Sequence, residues 1–221
     1  MITKEAIAGV LDYAVLDIHP RRIPVDKLKQ ACQFVSVNYI HALCIQHAHA
    51  GDIIRYCKTN YYNKIKIVDV VGWPFGDSDT KFSEAIEAVD LGADEIDYTM
   101  DWQSFAVNND QTVLFNEIYR LRNRINIPLK VIIQAPLITH NQVIDACEIC
   151  ADAGVDYVKT STGAIKGSAT SIEDVWLCKA ALKNTPVKIK VSGGVNKSNI
   201  QQFLELGVHR IGSSTFEELY E

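Results

Sequence analysis

The chain has 221 residues, of which 48% are hydrophobic and 22% charged, with a formal net charge of -5. It is too apolar and too evenly mixed to be disordered, and its acidic balance argues against a general binder of nucleic acid or anionic membrane. No apolar run approaches the roughly 20 residues that span a bilayer, and the start Met1-Ile2-Thr3-Lys4-Glu5 lacks a secretory pattern, so the expected location is the cytoplasm and the expected partner a small molecule.

Helical and strand-like patterns alternate from end to end without a linker, giving one domain over 1–221. A first β-rich run at 13–18 is followed by a helical face of Val25, Leu28, Cys32 and Val35. Further runs fall at 41–46, 64–72 and 95–100, with the helical face Phe82, Ala85, Ile86 and Val89 before the last of these. Runs at 129–135, 157–162, 188–194 and 210–214 complete the series, with a helix placed around 197–206 by Ile200, Phe203 and Leu204. A weak internal echo, Gly92-Ala93-Asp94, Gly154-Val155-Asp156 and Gly207-Val208-His209, enters a strand each time, and glycine there suits a helix C-cap. Eight such units predict an α/β fold in which a parallel sheet closes into a β/α (TIM) barrel; an open doubly wound sheet would need a glycine-rich turn after the first strand, and none is present.

In a closed barrel one face of each strand points inward, and the C-terminal ends of that face carry the chemistry. Alternation then gathers Asp97, Lys130, Lys159 and Lys190 in the interior, with Lys188 also on the inward face. An ammonium taken out of water must be paired or lose its proton, and one lysine beside another has a lowered pKa. Such an amine attacks a carbonyl to form an imine, an electron sink for making or breaking the adjacent carbon–carbon bond. Asp97 is the acid placed to move protons. The competing bland reading is a satisfied network of buried salt bridges.

Glycines supply a second element. Gly193-Gly194-Val195-Asn196 and Gly212-Ser213-Ser214-Thr215 follow the seventh and eighth strands at expected helix starts, where such barrels hold phosphate, and Gly163 follows the sixth. Of the six cysteines, Cys147 and Cys150 form C-x-x-C but fall on an apolar helix face with Val143, Ile144 and Ala151, and read as buried thiols. His47-Ala48-His49 prompts a rival metal-dependent reading, which His19, His41, His140 and His209 do not complete.

Across nearly its full length the chain resembles the 2-deoxyribose-5-phosphate aldolases, a family of class I aldolases. The matching pieces are Leu11-Asp12, Cys44, the run from Val70 to Gly76 (VVGWPFG), Gly92 to Asp97 (GADEID), Leu129 to Ile133 (LKVII), Val158 to Gly163 (VKTSTG), Lys190 to Val195 (KVSGGV) and Arg210 to Ser214 (RIGSS). The resemblance implies reversible, cofactor-free and metal-free cleavage of 2-deoxy-D-ribose 5-phosphate to D-glyceraldehyde 3-phosphate and acetaldehyde, and a homodimer. It makes Lys159 the Schiff-base residue, Lys190 the lysine that perturbs it and Asp97 a member of the proton relay. Gly163, Gly193, Gly194, Ser213 and Ser214 would surround the phosphate, and Asp12, Cys44, Lys130, Thr162 and Gly212 complete the substrate set.

The chain also departs from the family. The usual first segment, Asp-His-Thr-Leu-Leu-Lys-Pro, is here Asp12-Tyr13-Ala14-Val15-Leu16-Asp17-Ile18, the Glu that often ends strand five is Gln134, and a lysine after the strand-six glycine is Ala164. Lys166 and Tyr220 are the residues nearby that could replace missing groups. The competing functions are a class I aldolase for another phosphorylated sugar and an inactive sugar-phosphate-binding barrel.

Overall fold

The computed structural model describes residues 3–18, 23–60, 62, 64–77 and 79–219. Its eight strands are β1 (Leu11–Val15), β2 (Ala42–Gln46), β3 (Lys66–Val71), β4 (Glu95–Thr99), β5 (Leu129–Ile132), β6 (Tyr157–Lys159), β7 (Lys188–Ser192) and β8 (Arg210–Ser213). Each pairs in parallel with the next, and β8 returns to pair with β1, so the sheet closes. This is the expected TIM barrel. Every predicted run contains an observed strand, but the first begins at Leu11 rather than 13, and β5 and β6 end at Ile132 and Lys159. Beyond Lys159 the Thr160 and Ser161 side chains bond to the Ser192 and Ser168 carbonyls, drawing the chain out of the ladder and into a loop.

Two apolar layers follow from the alternation. Outward residues such as Leu43, Ile67, Ile96, Val131, Val158 and Ile189 pack against helices including Val25–Val37, His47–Thr59 and His140–Asp152. A small inner cluster of Ala42, Cys44, Val68, Val70 and Ile132 fills the barrel on the β2, β3 and β5 side. The rest of the interior is filled by charge from β4 to β7, and Asp97, Lys130, Lys159 and Lys190 are all buried there.

Local signals fix where the helices begin and end. Thr139 with Gln142, and Ser171 with Asp174, form capping boxes ahead of His140–Asp152 and Ile172–Ala181. The three glycines of the internal echo, Gly92, Gly154 and Gly207, take φ of 93°, 76° and 76° at the helix ends. The expectation of helix N-termini directly after β7 and β8 needs correction. After β7 the helix starts only at Ile200, beyond an Asn196–Asn199 turn, and β8 is followed by a 3₁₀ turn at Glu217–Leu219. Asn196 and Asn199 side chains bond to the loop backbone, including the Gly194 carbonyl, which delays the helix.

Candidate active site

Register brings the charged residues together. In parallel pairing Asp97 lies beside Lys130, Ile132 beside Lys159, and Lys159 beside Lys190. Asp97 accepts from all three lysines. Lys130 Nζ lies 3.0 Å from Oδ1, while Lys159 and Lys190 lie 2.8 and 2.7 Å from Oδ2. Lys190 also donates to Asp12 Oδ2 at 2.5 Å and approaches Cys44 Sγ at 3.6 Å. Lys130 completes its pairing with Glu95 Oε2 at 2.6 Å. Three cations thus face the carboxylates of Asp12, Glu95 and Asp97, and mutual pairing is what allows all of them to leave water.

Within this balanced group the lysines are not equivalent. Burial lowers the Lys159 pKa, and the Lys190 charge adds to that, outweighing the attraction of Asp97. Burial works against the Lys190 charge too, but Asp12 and Asp97 outweigh it and hold its pKa well above the usual lysine value. Lys130 is raised in the same way, chiefly by Asp97 against the cost of burial. Asp97 would be raised by burial, yet the three lysines hold it well below the ordinary carboxylate range. Burial pushes the Cys44 thiol up to about 12, so it remains a protonated thiol against the Lys190 charge. The arrangement therefore contains one amine poised to lose its proton and one ammonium fixed beside it, which is the requirement for imine chemistry.

A cavity of about 480 Å³ opens above this floor. Of the residues the sequence singles out, Asp12, Cys44, Lys159, Thr162, Gly163, Lys190, Gly193, Gly194, Gly212, Ser213 and Ser214 all line it. Lys130 is placed differently from the substrate contact expected of it: it is fully enclosed beneath the cavity wall and supports Asp97 from below. Asp97 is likewise fully enclosed, and reaches the cavity through the two lysines it holds. Lys188 does not join the interior; it is exposed, with its ammonium over the Tyr157 ring. Lys166 is exposed and outside the cavity lining, and Tyr220 and His19 lie outside the described residues.

Close backbone approaches shape the far end of the cavity. Gly193 has φ of 88°, and a Cβ there would come within 2.6 Å of the Ser168 carbonyl oxygen. Gly212 lies against Lys190, where a Cβ would meet Ser192 Cβ at 2.8 Å and Lys190 Cε at 3.3 Å. The segments after β6 and β7 are tied together by Thr160, Thr170 and Ser192, with Thr170 Oγ1 donating to the Ser192 carbonyl at 2.6 Å. The result is a concave rim of loop backbone and hydroxyls suited to an anion or a polar sugar end, formed by loops and not by the helix ends that the sequence suggested. The Gly163 N–H is already engaged by Ser161 Oγ at 3.0 Å.

Some residues of the site escaped the sequence reading. Trp73 walls the cavity, and its indole N–H donates to the Thr162 carbonyl at 3.4 Å across 89 positions of sequence. Glu95 shares the inward face with Asp97 and Thr99, so the alternation along β4 contained the signal for it. The rim residues Asp17 and Glu218 lie on a loop and a turn, where no periodicity marks them. The histidines of the metal reading are otherwise employed, His47 Nδ1 lying 2.9 Å from Asp69 Oδ2. Among the described residues no three His, Cys, Asp or Glu side chains gather as a metal-holding group.

Comparison with known proteins bears on the same geometry. Residues 25–215 match the model of the DeoC/LacD family aldolases. The chain is 34% identical over 194 residues to a deoxyribose-phosphate aldolase of Clostridioides difficile, covering 86% of this chain and 85% of that one. It is 33% identical over 221 residues to a deoxyribose-phosphate aldolase of Caldicellulosiruptor saccharolyticus, covering 97% and 96%. A solved structure described as QR15, an aldolase, superposes with a TM-score of 0.85 at 28% identity, covering 96% of this chain and 93% of that one. The buried lysines at the strand ends belong to a recognised lineage of carbon–carbon lyases: the chain is a member of the DeoC/LacD aldolase family.

Proposed function

We propose that this chain is a class I aldolase that cleaves 2-deoxy-D-ribose 5-phosphate reversibly to D-glyceraldehyde 3-phosphate and acetaldehyde, with Lys159 as the amine that forms the imine. The observation that carries the assignment is that Lys159 and Lys190 share one oxygen of Asp97 while burial lowers the pKa of the first and Asp12 with Asp97 raises that of the second. A satisfied salt-bridge network alone would have no use for a lysine whose charge is disfavoured. The deoxyribose-phosphate aldolases of similar sequence support the choice of substrate.

The sequence of events follows from these positions. Neutral Lys159 adds to the C1 aldehyde, and the adduct takes up one proton from solvent and loses water to give a protonated imine, with Asp97 as its counter-ion; the final hydrolysis returns that proton. The C3 hydroxyl gives its proton to the Asp97–Lys190 pair as the C2–C3 bond breaks, releasing glyceraldehyde 3-phosphate and leaving an enamine on Lys159. The pair returns a proton to C2, and water hydrolyses the imine to acetaldehyde. Lys190 stays charged and, together with burial, lowers the Lys159 pKa. Asp12 and Cys44 hold Lys190 in place. The rim of Gly163, Gly193, Gly194, Gly212, Ser213 and Ser214 receives the distal end of the sugar, with Thr162 beside it.

We place the enzyme in the cytoplasm, a reading supported by six free, buried cysteines, and expect it to work as a homodimer on small sugars and aldehydes without nucleic acid or membrane. No helix among the described residues is long and apolar enough to cross a membrane. The test is incubation with acetaldehyde and borohydride followed by peptide mapping, alongside an assay of acetaldehyde release from 2-deoxyribose 5-phosphate. A reduced ethylidene adduct on Lys159 is the expected result; an adduct elsewhere, or none in folded protein, rejects the assignment.

A further inference from the structure

We propose that Gln134 is a positioning residue for this reaction: its side-chain carbonyl, working with Trp73, grips the backbone of Thr162 and so fixes the rim that receives the sugar. The proposal rests on the aldolase reading above and concerns how the sugar is held, not how the imine forms. Past their ends β5 and β6 stay bonded, the Ile133 N–H donating to the Lys159 carbonyl at 3.0 Å and the Ala135 N–H to the Thr160 carbonyl at 2.8 Å. Between these two bonds Gln134 turns left-handed, with φ of 54° and ψ of 45°, and the chain leaves the ladder for the 3₁₀ turn Ala135–Leu137. The side chain, fully buried, points back at the segment after β6, where Oε1 accepts the Thr162 N–H at 2.6 Å.

Gln134 carries two local costs for this one bond. The left-handed backbone is unfavourable for a residue with a Cβ, and glycine or asparagine is its usual occupant. Because a backbone N–H can only donate, the amide atom facing Thr162 is the oxygen, and Nε2 then finds no acceptor among the described residues. A buried donor left unpaired is unfavourable too. Strain of this kind persists where the surroundings fix it and gathers at functional sites. The acceptor oxygen is therefore the part of the side chain that the fold uses.

Trp73 completes the grip from the far side, its indole N–H donating to the Thr162 carbonyl at 3.4 Å. Thr162 is thus held by N–H and by carbonyl, from residues that follow β5 and β3. Thr162, Gly163 and Trp73 all line the cavity, and a Cβ on Gly163 would lie 3.2 Å from Gly193 Cα, so this segment abuts the loop after β7. A shift at Thr162 is passed to Gly193 and changes the space for the sugar. Lys159 is anchored separately, by the pairing of β6 with β7 and by Asp97, so loss of the grip leaves the amine in place.

The experiment measures KM and kcat for 2-deoxyribose 5-phosphate, and separately the rate of borohydride trapping of acetaldehyde on Lys159, in the unmodified chain and in Q134G, Q134E and W73F. Glycine accepts the left-handed backbone without strain, so Q134G removes the grip alone. Q134E keeps an acceptor oxygen at the same reach and loses only the donor that has no partner. The expected result is a KM raised about tenfold in Q134G, the scale of one lost hydrogen bond, with kcat changed far less and trapping unchanged. W73F should raise KM by a smaller factor, because its bond is longer, and Q134E should restore KM to near that of the unmodified chain. An unchanged KM in Q134G, a fall in trapping that matches the loss in turnover, or a Q134E no better than Q134G overturns the proposal while leaving the aldolase reading intact. Should Q134G fail to fold, Q134N makes the same comparison, since asparagine also accepts this backbone but is one methylene short of Thr162. Absence of both turnover and adduct in the unmodified chain overturns the aldolase reading itself.

Discussion

Lys159 and Lys190 meet on a single oxygen atom, their Nζ atoms lying 2.8 and 2.7 Å from Asp97 Oδ2, yet their pKa values shift in opposite directions: burial lowers that of Lys159, whereas Asp12 and Asp97 outweigh burial at Lys190. The difference lies in the second partner. Lys190 pairs with Asp12 as well as Asp97, whereas Lys159 pairs with Asp97, which it shares with two other lysines. The functional amine is thus selected by how few anions it owns.

That selection predicts the pH dependence of imine formation. Lys159 must be neutral to attack, so the rate of acetaldehyde trapping with cyanoborohydride should climb as pH rises through a value below the ordinary lysine pKa of 10.5. Lys190→Met removes a like charge, raises the Lys159 pKa and should move that limb to higher pH. Asp97→Asn removes the anion that favours the ammonium, and should move it to lower pH even as turnover collapses. Shifts in the same direction for both variants would show that the coupling is not electrostatic.

Lys130 offers a test of support without contact. It is fully buried, and its removal takes the cation from Asp97 Oδ1 and from Glu95 Oε2, leaving Glu95 only the half-exposed Lys66 at 3.3 Å and His41 at 3.8 Å from Oε1. Lys130→Met should therefore cost about 3–5 kcal/mol of stability, the range for stranding a buried charge. Adding Glu95→Gln should recover part of that loss, since one orphaned carboxylate is then neutral. Urea unfolding of the single and double variants measures both, and additive losses would show that the pair is not coupled.

The fold was legible because two periodicities alternate over the chain, and the chemistry because a polar residue on a buried strand has few explanations. Lys159, Lys190 and Asp97 fall in register from alternation alone. The outer parts of the site were harder. Glu95 was passed over although it shares the Asp97 face, because a strand's first residue reads equally well as solvent-exposed. Trp73 reaches Thr162 from a loop after β3, and loop geometry has no period. The rim was read as helix N-termini because glycine followed by polar residues suits either a cap or a turn; Asn196 and Asn199 decided for a turn by bonding to the local backbone. Lys188 misled for the complementary reason: at a strand's beginning the inward face is already the barrel's open bottom.

Two glycines separate backbone strain from steric closure. Gly154 and Gly193 have φ of 76° and 88°, but a Cβ at Gly154 meets nothing within 4 Å, while one at Gly193 lies 2.6 Å from the Ser168 carbonyl oxygen. Gly154→Ala should cost about 1 kcal/mol, the conformational penalty alone. Gly193→Ala should cost more and should also raise KM for 2-deoxyribose 5-phosphate, because the loops after β6 and β7 must part to admit it. Thermal unfolding and steady-state kinetics compare the two; equal effects on stability and KM would mean that the close approach at Gly193 does not shape the rim.

Stability at acid pH follows from the same buried group. Asp97 and Glu95 have folded pKa values depressed below their ordinary ones, because attraction to the lysines, and for Glu95 to His41 at 3.8 Å as well, outweighs burial. A carboxyl of this kind contributes stability that is fully present above its unfolded pKa, about 4, and is lost as pH falls toward the folded value. Lys130 and Lys190, raised in the fold, contribute in the opposite sense: their share persists at all pH values below about 10.5 and is lost only above it. The free energy of unfolding should therefore hold level from these groups between about pH 5 and 9, then drop steeply between about pH 4 and 2. Glu95→Gln removes one of the protons taken up on acid unfolding, so its stability should be lower at neutral pH but decline less steeply below pH 4. Urea titrations at several pH values supply the slopes. If the slope in Glu95→Gln equals that of the unmodified chain, Glu95 is not held ionised by Lys130, and the charge balance beneath the cavity must be redrawn with Asp12 and Asp97 alone against the three lysines.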